Sequence, residues 1–364
     1  MKNINIQIPG NSYPVLIGRE AFSALLPLIE KRKLYRNLFL LVDQNVFKYH
    51  KKTIEKFTKS YKGKLFIHLY NVSEKNKTYA AVQKIHSDLI KNGFGRDTTL
   101  VAVGGGITGD VGGFAASTYT RGINFVQVPT TLLSAVDSSV GGKTGINYGG
   151  TKNIIGTFYQ PGFVLVDLNF LNTLSRSDIV CGAGEILKYG LMTDEKVFYN
   201  LLDNYEKLIN LNEKYIQNIL ELCIEFKGGV VAEDEKETGL RKVLNLGHTF
   251  AHAIEVEQNH RIKHGQAVAV GLAAAIELSS KLNLIDSIDK DELMQLPLLL
   301  VDEIKIKNYS AAKIYEAMKR DKKGRDQKIK FVLIGGLGKI ILDVEAEKKD
   351  VINSINYAVK LFGK

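Results

Sequence analysis

The chain has 364 residues, enough for two domains, and its 45% hydrophobic and 24% charged residues describe a globular protein rather than a disordered one. The formal net charge is +10, yet the basic stretches KKTIEKFTKSYKGK and KRDKKGRDQKIK lack the aromatic interleaving of a base-stacking surface, so no nucleic-acid partner is expected. Lysine-rich helix faces and a site for a small anion account for the excess charge.

The opening MKNINIQIPG has no apolar signal core, and the longest apolar stretch, 267–276, falls well short of the roughly 18 residues a spanning helix needs, so no membrane partner is expected. Two cysteines, Cys181 and Cys223, form no CxxC pattern. Any metal must therefore use histidine or carboxylate ligands, and the cysteine usage suits a reducing, cytoplasmic compartment.

Taken in chain order, strands are predicted at 4–8 and 13–18 around the turn PGNS, then at 37–42, 65–70, 98–103, 125–129 and 163–167. Helical periodicity at 80–92 separates two of them. Strands alternating with helices predict an α/β, Rossmann-like parallel sheet with ligands at the strands' C-terminal ends. After about residue 174 the pattern becomes mainly helical: 195–209, 215–227, 250–257, 268–281 and 311–319, with one hairpin at 330–342 turning at Gly335–Gly338. The expected division is an N-terminal α/β domain over 1–174 and a mainly helical domain over 175–364.

The densest chemistry lies in TTLVAVGGGITGDVGGFAASTYTRGINFVQVPTTLLSAVDSSVGGKTGINYGGTKNIIGTFYQP. Gly104, Gly106 and Gly109 fit G-x-G-x-x-G after a strand, a pattern that lets backbone approach a pyrophosphate at a helix start. No acid follows at the usual spacing; Asp43, ending an upstream strand, is the candidate for a ribose instead. Gly142-Lys143-Thr144 is not a P-loop, because Asp137 stands where that motif needs its first glycine. Lys143 and Lys152 remain anion ligands in glycine-rich surroundings.

In the C-terminal half, Glu185 and Lys188 share a helix face in GAGEILKYG, crowded by Gly182, Gly184 and Gly190. His248 and His252 stand four apart in NLGHTFAHAIE, and His264 follows in HGQAVAVG. Spacing alone pairs His248 with His252 as metal ligands. The competing reading makes one of them a satisfied core histidine. Lys227, Glu237, Arg241 and Asn245 precede this cluster, with Arg241 suited to a bidentate carboxylate clamp.

These motifs, with KNIIGTFYQP, VPTTLLSAVDSSVGGKTGIN and DKKG, resemble the 3-dehydroquinate synthase family of sugar phosphate cyclases over about 43–323. The resemblance implies a carbon–oxygen lyase acting on a phosphorylated keto acid, 3-deoxy-D-arabino-heptulosonate 7-phosphate. It also implies bound NAD, a divalent metal (usually zinc, alternatively cobalt) and a homodimer. It makes Glu185, His248 and His264 the metal ligands, which moves His252 from the metal to the substrate. For NAD it points to Asp43, Glu74, Lys77, Gly105, Gly106, Ile107, Asp110, Thr130, Thr131, Phe170 and Thr173, with Lys143 and Lys152 nearby. For substrate and catalysis it points to Asp137, Lys143, Lys152, Asn153, Lys188, Lys227, Glu237, Arg241, Asn245, His252 and Lys322. Arg121 is expected to serve the neighbouring subunit. The chain departs from the family's usual pattern at Ser175, where proline is common, and in the loop YGGTKN, which lacks the usual histidine and proline. Rival readings are another cyclase, such as a 2-deoxy-scyllo-inosose synthase, and a metal-dependent polyol dehydrogenase.

Overall fold

The computed structural model describes residues 1–321 and 328–363. The chain forms two compact units: Met1–Leu174 with Gln217–Lys236, and Ser175–Ile216 with Glu237–Lys364.

The first unit is built on strands β1 (Lys2–Ile6), β2 (Tyr13–Gly18), β3 (Asn37–Asp43), β4 (Leu65–Tyr70), β5 (Thr98–Gly104), β6 (Asn124–Pro129) and, after a separate hairpin β7 (Lys143–Tyr148) and β8 (Thr151–Phe158), β9 (Phe163–Asp167). Seven of these make one sheet in the order β1-β2-β9-β6-β5-β3-β4. Only the β1–β2 pair is antiparallel; the other pairs are parallel. Parallel strands are covered on both faces, which is why NLFLLVD and TTLVAVG read as continuous apolar runs. Leu38, Leu40 and Val42 pack into one core, while Phe39 and Leu41 pack into the other.

The chain steps from β3 outward to β4, then crosses back over β3 to β5. That reversal is a topological switch point, and ligands of open α/β sheets bind outside the strand ends at such a point. Here the strand ends carry Asp43 and Gly104.

Sequence reading had no signal for the β7–β8 hairpin. Its turn is Gly149-Gly150, both with positive φ (58° and 78°), between the paired Tyr148 and Thr151. Two left-handed residues make the two-residue turn that matches strand twist. The departure YGGTKN is therefore a tight hairpin, with Asn153 on its second strand.

A single boundary after residue 174 assigns 217–236 to the C-terminal domain, whereas the structure groups that stretch with the first unit. Lys227 pairs with Asp137 at 2.9 Å, Gln160 donates to Glu235 at 2.9 Å, and Gly228 lies so close to Ile6 that a Cβ would meet it. The helix Glu213–Glu233 thus begins in one unit and ends in the other.

The second unit is helical apart from the hairpin of β10 (Phe331–Ile334) and β11 (Ile340–Val344). Its centre is the helix His264–Lys281, buried without a break from Gly265 to Ser279. A helix apolar all round must be enclosed. Arg176–Met192, His248–Glu257, Ser287–Leu298 and Lys348–Phe362 enclose it. The predicted helix 195–209 is two helices, Glu195–Asp203 and Tyr205–Ile209, broken at Asn204. No helix among the described residues is long and apolar enough to cross a membrane.

Candidate active site

In the first unit, Gly105 caps the helix Gly106–Thr118 at the end of β5. A Cβ on Gly105 would meet Thr131 at 3.1 Å, and one on Gly106 would meet Ser138 at 2.9 Å. The bare backbone at a helix N-terminus is suited to a pyrophosphate. Thr130 continues β6 beside it, its backbone N–H donating to the Gly104 carbonyl at 3.0 Å. The Thr130 hydroxyl is buried with no hydrogen-bond partner. Asp43 caps the helix Gln44–Tyr49 by accepting from the Asn45 N–H at 2.8 Å, and burial pushes its carboxyl above the usual range. Thr173 is exposed and its hydroxyl lies 2.8 Å from His50 Nε2. Phe170 is a core residue: its ring packs at 5.7 Å on Phe22 and 4.8 Å on His50. Ile107 packs partly buried on the core beneath the same helix.

A polar network ties the β7–β8 hairpin to the segment after β4. The Lys77 ammonium, 3% exposed, contacts both the Asp110 carboxylate and the Asn153 amide oxygen. Asn147 donates to Glu74 Oε1 at 2.7 Å and accepts from the Asn153 N–H at 2.9 Å. Burial raises the Asp110 carboxyl, and the Lys77 charge opposes that shift. Asn147 has no place among the residues found from sequence; an asparagine in a strand of unrecognised hairpin carried no signal. Lys227 reaches Asp137 twice, pairing with its carboxylate and donating to its carbonyl at 2.8 Å. Lys143 is exposed and Lys152 half-buried on the two strands of the hairpin. Arg121 is exposed, with φ of 70° between Thr120 at 48° and Gly122 at 118°.

The second unit brings Glu185, His248 and His264 together, their donor atoms within 4.8 Å of one another. Three local features place them. Ser175 caps the helix Arg176–Met192 by accepting from the Asp178 N–H at 3.2 Å, so the serine that departs from the usual proline starts the helix carrying Glu185. Gly247, at φ 77°, turns the chain into the helix His248–Glu257. Gly184 and Gly265 approach backbone to backbone, since a Cβ on Gly184 would fall on the Gly265 carbonyl. That contact sets Glu185 beside His264.

Glu185 is 1% exposed and pairs with Lys188 at 2.5 Å. His248 Nε2 lies 3.3 Å and His264 Nε2 3.2 Å from Glu185 Oε1. Yet neither carboxylate oxygen accepts a well-directed hydrogen bond. A buried carboxylate left in that state fits a cation at the donor set, and two imidazoles with one carboxylate suit zinc or cobalt. Burial resists charge on Glu185, but Lys188 and then His248 outweigh it and hold the carboxyl well below its usual range. Burial and the nearby Lys188 push His248 down to about 4. Burial also disfavours charge on His264, but its contacts with Glu185 and Glu255 prevail and raise it to about 10.

A second group, His252, Glu255 and His264, overlaps the first. In it, Glu255 faces the other nitrogen of His264: Nδ1 lies 3.4 Å from Glu255 Oε2. His252 is exposed, on the same helix face as His248. Asn245 donates to Glu237 at 2.8 Å, and Arg241 is 2% exposed in the helical turn Leu240–Asn245. Glu255 is absent from the residues found by sequence, although its spacing of seven from His248 put it on the histidine face. Lys322 lies outside the described residues.

Family models match both units: 3-dehydroquinate synthase N-terminal over residues 67–181 and 3-dehydroquinate synthase C-terminal over 182–324. The chain belongs to the 3-dehydroquinate synthase family. A 3-dehydroquinate synthase of Pelagibacter ubique (strain HTCC1062) is 40% identical over 362 residues, 96% of each chain. Among solved structures, a 2-deoxy-scyllo-inosose synthase complexed with carbaglucose-6-phosphate, NAD+ and Co2+ matches with a TM-score of 0.87. It is 25% identical and the match covers 98% of this chain and 99% of that one. A 2-epi-5-epi-valiolone synthase from Streptomyces hygroscopicus subsp. jinggangensis 5008, with NAD+ and Zn2+ bound, shares the fold at a TM-score of 0.86 and 21% identity, covering 96% of this chain and 97% of that one. These cyclases thus share one architecture with this chain.

Proposed function

We propose that the protein converts 3-deoxy-D-arabino-heptulosonate 7-phosphate to 3-dehydroquinate and phosphate, as a carbon–oxygen lyase. The observation that carries this reading is the buried Glu185 beside His248 and His264, in a chain of the 3-dehydroquinate synthase family. Glu185, His248 and His264 are assigned to a divalent ion, zinc or cobalt. Asp43, Glu74, Lys77, Gly105, Gly106, Ile107, Asp110, Thr130, Thr131 and Thr173 are assigned to NAD, with Phe170 supporting them from the core. When bound, the ion supplies Lewis acidity toward adjacent hydroxyls and NAD supplies reversible hydride acceptance, so the conversion has no net redox change.

The chain's own groups supply charge and position. Lys143, Lys152, Lys227, Arg241 and Lys322 are the cations assigned to the substrate phosphate and carboxylate, with Asn153 and Asn245 beside them; Lys188 is assigned to the reacting hydroxyls and Glu237 to the polar surround of the substrate. Each charge-assisted contact is worth about 1.5–3 kcal/mol, so several hold a doubly anionic ligand in one pose. Asp137, paired with Lys227, is assigned to accept a hydrogen bond from a substrate hydroxyl. The His252 ring, exposed and outside the tight Glu185 cluster, is assigned to proton handling beside the leaving phosphate.

Arg121 is assigned to the neighbouring site of a homodimer. Holding a non-glycine residue left-handed costs on the order of 1 kcal/mol, and here two adjacent ones, Thr120 and Arg121, are so held. Strain kept at an exposed arginine supports a role in presenting it. Cys181 and Cys223 are both buried thiols, which supports a reducing cytoplasm.

The test is product analysis. Incubation with the heptulosonate phosphate, catalytic NAD and zinc should yield 3-dehydroquinate and equimolar phosphate. Accumulating NADH would instead indicate a polyol dehydrogenase, and an aminocyclitol-type precursor from glucose 6-phosphate would indicate a 2-deoxy-scyllo-inosose synthase.

A further inference from the structure

The two metal-side histidines are each held from behind, but by different groups. His248 Nδ1 lies 3.2 Å from the Leu246 backbone carbonyl, two residues earlier, which leaves Nε2 facing Glu185. Among the described residues no such local carbonyl meets the Nδ1 of His264. Instead Nδ1 meets Glu255 Oε2 at 3.4 Å, while Nε2 faces Glu185 at 3.2 Å. Glu255 is 5% exposed, seven residues beyond His248 on the same helix face. Its carboxylate is thus the charged group facing the Nδ1 side of the imidazole, as Glu185 is at the Nε2 side.

One imidazole cannot offer both nitrogens to one ion. The two overlapping groups that share His264 are therefore alternatives, and their surroundings differ. Both oxygens of Glu185 are buried without a directed hydrogen bond. Glu255 already engages His264, and its group would need the exposed His252 as third ligand.

We infer that Glu255 is a positioning residue: its carboxylate accepts the Nδ1–H of His264, fixing the tautomer and ring angle that present Nε2 to the ion. The inference rests on the metal reading above. A carboxylate behind a histidine ligand raises the ligand's basicity, and losing such a partner typically lowers metal affinity by about 10–100-fold. Helix geometry explains the division of labour. His248 opens its helix next to the left-handed Gly247, so a carbonyl lies behind its ring. His264 opens a helix whose preceding residue, Lys263, is tied to Gln266 Oε1 through its N–H at 3.0 Å. The group behind its ring comes instead from the helix His248–Glu257.

The test is zinc affinity by chelator competition on full-length Glu255→Gln and Glu255→Ala, with the visible spectrum of the cobalt-loaded proteins. Glu255→Gln keeps the shape and a neutral acceptor, so it should lose roughly tenfold in affinity, and Glu255→Ala up to about 100-fold, both keeping one ion per chain. The cobalt bands should shift in both. A Gln variant that melts like the parent and matches its affinity within about twofold, with unchanged cobalt bands, overturns the inference alone. Loss of the ion altogether in both Glu255→Gln and His252→Ala makes Glu255 a ligand and also overturns it. If the unsubstituted protein binds no zinc, the metal reading and the inference fall together. Should the Ala variant not fold, the Gln variant decides.

Discussion

Gly184 and Gly265 touch through their backbones, with no space for a Cβ on either. This one contact brings the middle of the Arg176–Met192 helix against the start of the His264–Lys281 helix. Glu185 and His264, each next in sequence to one of these glycines, become neighbours as a result. Gly184→Ala should therefore push the helices apart, costing about 1–3 kcal/mol or more. Thermal unfolding and zinc stoichiometry measured together check this. A variant of parental stability and full zinc content would show that the approach is not needed.

His264→Ala should abolish tight zinc binding, whereas His252→Ala should keep one ion per chain. Metal content after gel filtration separates them. Equal loss in both would favour the His252, Glu255 and His264 group as the ligand set.

Lys77→Met should leave the Asp110 carboxylate without its cation and destabilise the protein by about 3 kcal/mol. Adding Asp110→Asn should recover much of that, because the stranded charge goes too. A double-mutant cycle by urea unfolding reads the coupling. Strict additivity would show that the pair does not act as a unit.

His68 gives a pH dependence outside the site. It is 5% exposed, its Nδ1 lies 2.7 Å from Asp88, and burial holds its pKa below 6.5 although Asp88 pulls upward. The unfolded chain therefore takes up the proton first as pH falls. Its contribution is complete above 6.5 and is lost as pH drops through the lowered folded value. Stability should thus fall as pH drops from about 6.5 through the lowered folded value, and His68→Gln, which cannot titrate, should show a shallower fall. An equal fall in the variant would exclude His68 as a source.

Arg121→Ala should reduce turnover. Mixed with inactive Lys152→Ala, it should recover some activity if Arg121 serves the partner's site. Demonstrably mixed dimers without recovery would place Arg121 outside any shared site.

Sequence by itself determined the parallel strands, because buried strands must be continuously apolar and glycine marks their ends. Tyr13–Gly18, Leu65–Tyr70 and Phe163–Asp167 are strands over the same residues that periodicity indicates. Glu185, His248 and His264 could be named as candidates, since each stands in a glycine-rich motif, but their choice as the ligand set came from family resemblance and not from spacing. What the sequence did not carry was any relation across helices. Spacing paired His248 with His252, because four residues make one helical turn. Tertiary structure instead put His248 beside Glu185, residues apart in sequence but brought together by helix packing around Gly184, Gly247 and Gly265. It also folded YGGTKN into a hairpin, linking Asn147 to Glu74 and Asn153 to Lys77, and it set Glu255 behind His264. Those relations depend on which backbones can touch, a property of packed helices and paired strands that no local pattern records.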